Sequence, residues 1–382
     1  MKFEYCNSSN FDELMDFLHE CFKTNDQEHP RFEELYPDIY RKDSELLTGI
    51  LILRENGRIA SSAGVFPIPL QIGNRGVVIP GVGGVATHPD FRGKSLMTKI
   101  MDEIKLMIEK ENPPFSWLGG NRYRYSRWGW ERAGTCVNFH LWSKNSSAMP
   151  QNEFKTRELP YSDIPWQDVM AFRKAISFRG NAALESLKYR YQRPALRFFV
   201  SENSEKEKAF LVLSNNNHIA EYFGSPKGIS DIIVFLMKVI SNIHVQVPMT
   251  NDSCFKIFRA FAETWEISHC SNLAVCNFRD CLSLAEENPA VHELKGLGNC
   301  GINLILADNK NPEQRVFVGI ENARIIIDHR RDGFSEIKMN PLMAASVVFG
   351  PQKPSLLLER PDLFWLDAIL PVVLNIPRLY YV

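Results

Sequence analysis

Val85-Ala86-Thr87-His88-Pro89-Asp90-Phe91-Arg92-Gly93-Lys94-Ser95-Leu96-Met97 carries an apolar strand into a basic, small-residue loop and out again as a helix. A loop of this composition can turn its backbone N–H groups inward on an anion. Arg92 and Lys94 add positive charge, and the helix that follows contributes its unpaired N-terminal donors and its dipole. The stretch reads as a cradle for a pyrophosphate, with an ordinary basic surface turn as the alternative. The helix itself is marked by Leu96, Ile100, Ile104 and Ile108, one apolar stripe widened by Met97, Met101 and Met107, with Lys99, Asp102, Glu103 and Lys105 turned to water. Asn112-Pro113-Pro114 ends it.

A short apolar run, Phe115-Ser116-Trp117-Leu118, closes on Gly119-Gly120 and leads into Asn121-Arg122-Tyr123-Arg124-Tyr125-Ser126-Arg127-Trp128-Gly129-Trp130. The order is strand, basic loop, helix, strand, aromatic turn. On these residues the sequence resembles the GNAT superfamily of acyl-CoA-dependent N-acetyltransferases, whose cofactor loop reads Arg/Gln-x-x-Gly-x-Gly/Ala and whose next strand enters a Tyr-x-x-x-Gly-aromatic segment. Tyr125, Gly129 and Trp130 fit the second pattern, and Arg92 leads the first. Ser95 and Met97 depart from the first pattern, so Met97 must point away from the pyrophosphate. The approach to the loop and the Tyr-x-Arg-aromatic-Gly-aromatic turn resemble the Eis-like branch, named for enhanced intracellular survival.

The resemblance implies acetyl-CoA as cosubstrate and an amine as acceptor. It maps Val85, Ala86 and Thr87 to the pantetheine arm and Arg92, Gly93, Lys94, Ser95, Leu96, Met97 and Thr98 to the pyrophosphate. Gly120 and Asn121 then border the thioester. Tyr125 is the candidate proton donor to the departing thiolate. The alternative is that Tyr123, Tyr125, Trp128 and Trp130 form a packed aromatic turn. His88 and Glu131 lie near enough in sequence to be bases. The tail Pro377-Arg378-Leu379-Tyr380-Tyr381-Val382 ends without a polar fringe, as a docked terminus does. In Eis-like enzymes the terminal carboxylate is held to reach the active site, which makes Val382 the candidate base; a last segment filling its own domain is the alternative. Trp117, Trp128, Phe66 and Tyr36, with carboxylates between Glu28 and Asp38, are candidates to surround a cationic acceptor such as a polyamine or aminoglycoside. A CoA-binding or apolar-ligand-binding protein without turnover is the second class of reading.

The 382 residues are 45% hydrophobic and 23% charged, with 44 Lys plus Arg against 45 Asp plus Glu. That balance gives no global attraction to nucleic acid or anionic membrane, so neither is expected as a partner. Eight cysteines lie without a CxxC pair, and no long apolar stretch follows the amino terminus, which points to a reducing, cytoplasmic setting. His269, Cys270, Cys276 and Cys281 match no zinc spacing, so no metal is expected. The chain divides into three: 1–145 with the cofactor signature, 146–284 with alternating helices and strands but no second basic loop, and 285–382 with long strands and an aromatic tail. The expected fold class is α/β (α+β), tandem GNAT-like domains with mixed sheets followed by an α+β domain resembling sterol carrier protein. The family likeness also implies a homo-oligomer, of which a hexameric ring is one form.

Overall fold

The computed structural model describes residues 1–23, 30–148, 153–250, 253–289, 294, 296–309 and 311–382. The opening strand β1 (Lys2–Tyr5) and amphipathic helix α1 (Phe11–Phe22) precede a short helix α2 (Phe32–Leu35). Strands β2 (Ile50–Glu55), β3 (Arg58–Ile72) and β4 (Arg75–Thr87) form an antiparallel run. Asn56 and Gly57 both hold positive φ between β2 and β3, as a two-residue hairpin turn requires. Helix α3 (Leu96–Glu111) crosses to β5 (Phe115–Leu118), and the short helix α4 (Arg122–Tyr125) leads into β6 (Glu131–Ala133). The predicted stripe of α3 is buried at Leu96, Ile100, Met101, Ile104 and Ile108 against β2, β3 and β4. Each such aliphatic side chain contributes roughly 2 kcal/mol of burial free energy.

The middle of the chain supplies β7 (Cys136–Trp142), β8 (Lys155–Leu159), α5 (Trp166–Lys174), β9 (Phe178–Gly180), α6 (Leu184–Arg190), β10 (Arg197–Glu202), β11 (Lys208–Ser214) and β12 (His218–Gly224). After these come α7 (Pro226–Met237), β13 (Asn242–Pro248), α8 (Phe255–Phe261), β14 (Ala262–Ser268) and β15 (Ser271–Val275). The last part holds α9 (Phe278–Ser283), then β16 (Cys300–Leu306), β17 (Gln314–Glu321), β18 (Arg324–His329), β19 (Glu336–Met339) and α10 (Pro341–Phe349).

Three sheets result, in the orders β1-β2-β3-β4-β5-β15-β6 with β9 added to β3, β14-β7-β13-β12-β11-β10-β8, and β18-β17-β16-β19. The first two are built alike, as tandem GNAT-like units: a long antiparallel run, a helix, and one strand returning parallel. They also exchange strands. β7 follows β6 in sequence yet lies in the second sheet between β13 and β14, while β15 follows β14 and returns to the first sheet between β5 and β6. Nothing in the local patterning signals this exchange, because it marks a strand without saying which sheet the strand joins. Of the polar stretch Ser143 to Asn152, read as a linker, residues 149–152 lie outside the described residues, and Ser143–Ala148 is a 3-10 turn.

Candidate functional site

β5 pairs with β4 over two positions only, Gly81 with Trp117 and Val82 with Leu118. Beyond them the two strands part, and the residues singled out in the sequence lie around the opening. On β4 the register with β3 slips between Ser62 and Gly64, which leaves a bulge at Gly84 and Val85, where Gly84 has φ +59°. A bulge of this kind re-aims the backbone beside it. Two fully buried serines fix it: Ser62 Oγ donates to Gly84 O at 2.9 Å and Ser61 Oγ to Ala86 O at 2.6 Å. Sequence reasoning missed them, although two hydroxyls inside the apolar run Ala60 to Phe66 were a signal.

The loop after β4 is held by His88, whose Nδ1 accepts from Asp90 N at 3.2 Å, while its Nε2 faces Glu20 at 3.1 Å and Arg58 at 3.2 Å. His88 is therefore a buried structural histidine, and Glu131 is ion-paired to Arg122; neither stands as an available base. Gly93 and Ser95 both adopt positive φ, +81° and +57°. That explains the usual glycine at the second position: serine enters the left-handed region at a cost of about 1 kcal/mol. The first turn of α3 holds no acidic residue, and Arg92, Gly93, Lys94 and Ser95 are exposed. Met97 is half-buried and packs against the core beneath α3. Lys94 leans on Glu55 at 3.4 Å and over the Phe91 ring at 5.0 Å. A further cation, Arg127, reaches the first turn of α3, with Nη1 at 3.4 Å from Thr98 Oγ1. It stands two residues past Tyr125 and went unread. Backbone donors in a bend, a helix start without acids and flanking guanidiniums suit a diphosphate.

Past β5, Gly120 has φ +105°, and a Cβ there would stand 3.1 Å from the Tyr125 ring. Tyr125 is buried beside this glycine, and burial raises its phenol above the ordinary tyrosine range, offset in part by Arg124. The Asn121 side chain caps α4, accepting from Tyr123 N at 2.9 Å. Asn272, on the exchanged strand β15, donates from Nδ2 to Leu118 O and Gly120 O, both at 3.0 Å, and so pins the end of β5. Nothing local could have shown this, since the residue comes from the other half of the chain.

Val82 faces the α3 side of the sheet, so Gly81 and Gly83 look to the other side, where the carboxyl terminus lies. A Cβ at Gly83 would stand 2.5 Å from the Val382 carboxyl carbon, and one at Gly81 3.0 Å from its Cγ2. The tail is anchored along its length. Arg190 donates to Leu379 O at 3.0 Å, Arg173 to Tyr380 Oη at 2.8 Å, Arg193 to Tyr381 O at 3.3 Å, and Tyr381 Oη to Cys270 O at 3.2 Å. Asp38, buried, joins Arg190 at 3.0 Å and Arg193 at 3.3 Å, while Glu221 pairs with Arg173.

Of the aromatics suggested for an acceptor, Trp117, Phe66 and Tyr36 lie on the Val382 side: Trp117 packs at a tilt against Tyr381, ring centroids 4.8 Å apart, and Phe66 and Tyr36 flank Tyr40. Trp128 does not join them. Its Nε1 donates to Asp102 Oδ1 on α3 at 2.7 Å, which holds it on the opposite face. Asp38 is consumed by its arginines, and Glu28 lies outside the described residues.

Residues 2–133 match the family model described as acetyltransferase (GNAT) domain. No curated protein matches the chain in sequence. Among solved structures, a probable N-acyltransferase from Enterococcus faecalis is 13% identical with a TM-score of 0.73, covering 98% of this chain and 97% of that one. A GCN5-related N-acetyltransferase from Anabaena variabilis is 14% identical at TM-score 0.70, covering 98% of each chain. Eis1 from Mycobacterium abscessus is 11% identical at TM-score 0.65, covering 99% of this chain and 98% of its own. At such identities the likeness is one of fold, and it runs the length of the chain. The match to an acetyltransferase (GNAT) domain thus falls on the first sheet, which carries the loop and the opening described above.

Proposed function

We propose that the protein transfers the acetyl group of acetyl-CoA to an amine by direct attack on the thioester, with Tyr125 as proton donor and the Val382 carboxylate as base. The observation that carries this reading is that two groups flank the point where β4 and β5 part: the carboxyl terminus against Gly83 of β4 on one face of the sheet, and the Tyr125 ring against Gly120 just past β5 on the α3 side. Bound acetyl-CoA supplies an activated carbonyl. In this reading the backbone of Val85, Ala86 and Thr87 and the loop from Arg92 to Thr98 hold the cosubstrate, while Gly120 and Asn121 border its thioester. The Val382 carboxylate takes a proton from the acceptor's nitrogen, and Tyr125 Oη gives one to the departing sulfur. No cysteine sits in the loop to form a covalent intermediate.

In this reading the acceptor is a cation of polyamine or aminoglycoside type, drawn by the Val382 carboxylate on the side of the sheet where Trp117 and Tyr36 pack. The whole-length likeness to Eis1 supports the Eis-like branch, and the four-stranded sheet with α10 is the part to compare with sterol carrier protein. The division into 1–145, 146–284 and 285–382 belongs to the same reading. So does a homo-oligomer: β14 is an edge strand with Trp265 49% and Ile267 61% exposed, a ready surface for another copy. The eight cysteines are free, in keeping with a reducing compartment, and among the described residues no helix is long and apolar enough to cross a membrane.

Release of free thiol from acetyl-CoA, followed across a panel of polyamines and aminoglycosides, tests the activity. A short extension after Val382 should abolish turnover while sparing CoA binding by calorimetry. Unchanged turnover removes Val382 from the mechanism. CoA binding without thiol release on any acceptor favours the non-catalytic reading.

A further inference from the structure

The second unit repeats the construction of the cofactor cleft. β13 runs parallel to β12 over two positions only, His218 with His244 and Ile219 with Val245, as β5 does beside β4. The β11–β12 register slips between Val212 and Leu213, leaving Ala220 as the extra residue on β12, just past the last parallel pair. In the first unit the bulge at Gly84 and Val85 likewise follows the last parallel pair. Beyond these points β12 and β13 part, and a cavity of about 580 Å³ opens between them. Ala220, Phe223 and Gln246 line it, with Phe178 and Arg179 of β9 and Arg378 of the tail closing it.

The two clefts differ at the loop. Eight residues, His88 to Ser95, separate β4 from α3, whereas Ser225 alone joins β12 to α7, and Pro226 there has no N–H to offer. The one-residue connection leaves no loop to wrap a diphosphate, and of the arginines lining the cavity Arg173 is paired with Glu221 while Arg179 donates to Ile176 O. What the second cleft retains is a strand edge: past Ile219, no strand pairs with β12 on the β13 side among the described residues. Such an edge binds extended chains through their amides. At the closed end stands Arg378, exposed and lining the cavity; burial lowers the pKa values of His218 and His244, and the Arg378 charge adds to both shifts. A guanidinium there suits a single anionic group.

We propose that the opening between β12 and β13 is a second ligand cleft, which takes an extended chain of secondary amides ending in one anionic group at Arg378. Two sources share that chemistry, a phosphopantetheine arm and a short peptide with a free carboxylate. The test uses the full-length chain saturated with CoA, so that the first cleft is filled, titrated calorimetrically with 4′-phosphopantetheine and with N-acetyl-trialanine. At least one probe is expected to bind, and Arg378→Gln to weaken it by about tenfold, as the loss of a charge-assisted contact does. Binding of phosphopantetheine alone assigns the pantetheine source, and binding of the peptide, alone or with it, assigns a peptide-type chain. The proposal is overturned if neither binds at millimolar concentration, if inorganic phosphate binds as well as the amide chains, or if Arg378→Gln leaves affinity unchanged. Because the readout is binding beside saturating CoA, it stands or falls apart from the acetyl transfer proposed above.

Discussion

Ser95 stands where the GNAT loop pattern has glycine, and its φ of +57° says what substitution there should do. A β-branched side chain in the left-handed region is a genuine outlier. Ser95→Val is therefore expected to cost about 1–2 kcal/mol locally and to weaken CoA binding, while leaving the α3 core intact. Calorimetry against CoA, with the thermal midpoint as control, checks this; undiminished affinity would detach the bend from the cosubstrate. Tyr125 yields a different pattern. Tyr125→Phe keeps the ring beside Gly120 and removes the proton, so kcat should fall by roughly 10²-fold or more with CoA affinity unchanged. Burial raises the phenol, so the group stays protonated to a higher pH than a free tyrosine and the wild-type rate should hold on the alkaline side. Equal losses in rate and affinity would mark the ring as packing. Much of this was legible in the sequence. Met97, the bulky departure, packs against the core because a helix places it three residues before Ile100 on the widened apolar stripe.

At the scale of elements, the site depends on two strands that stop pairing and a tail that crosses their open end. Gly83→Ala sets a methyl group against the Val382 carboxyl, within 2.6 Å of its oxygen, and the tail must move. Turnover should drop at least about tenfold while CoA binding changes little, the split expected for a displaced base; an unaltered rate would show that the carboxylate is a bystander. β12 carries a pH dependence of its own. Burial first, then Arg378, His244 and His140, hold His218 down at about 4. An unfolded chain titrates its histidines near 6.5, so between those values the unfolded state binds more protons. Stability should then fall as pH drops from about 6.5 toward 4. His218→Phe should flatten that loss in urea midpoints measured at neutral and mildly acid pH. A slope as steep as the wild type would assign the loss to other groups. Strands, α3 and the loop could be read from periodicity and turn residues, since these are local. Asn272 and the arginines on the tail could not, because their partners are more than 100 residues away in sequence.

Over the whole molecule the exchanged strands matter most. Each of the first two sheets contains a strand that its own half of the chain does not supply, so neither can close without the other. The two crossing connections touch: Cys270 N donates to Ala133 O at 3.1 Å, and the Cys136 thiol donates to Ser268 O at 3.3 Å. Gly134 sits at that crossing with φ +87°, where a Cβ would stand 3.2 Å from Cys270 Cβ and run into its sulfur. Gly134→Val combines the left-handed penalty, about 1–2 kcal/mol, with overpacking of about 1–3 kcal/mol, so a loss of about 3 kcal/mol is expected. Because the crossing belongs to both sheets, that loss should lower a single transition seen by calorimetry and by far-UV dichroism alike. By the same reasoning, residues 1–133 expressed alone should fail to fold, since β5 and β6 would lack β15 between them and leave the end of the cofactor cleft unpinned. Two resolved transitions in the variant, or a folded fragment that binds CoA, would mean that the exchange joins two independent units and that the cleft needs only its own half of the chain.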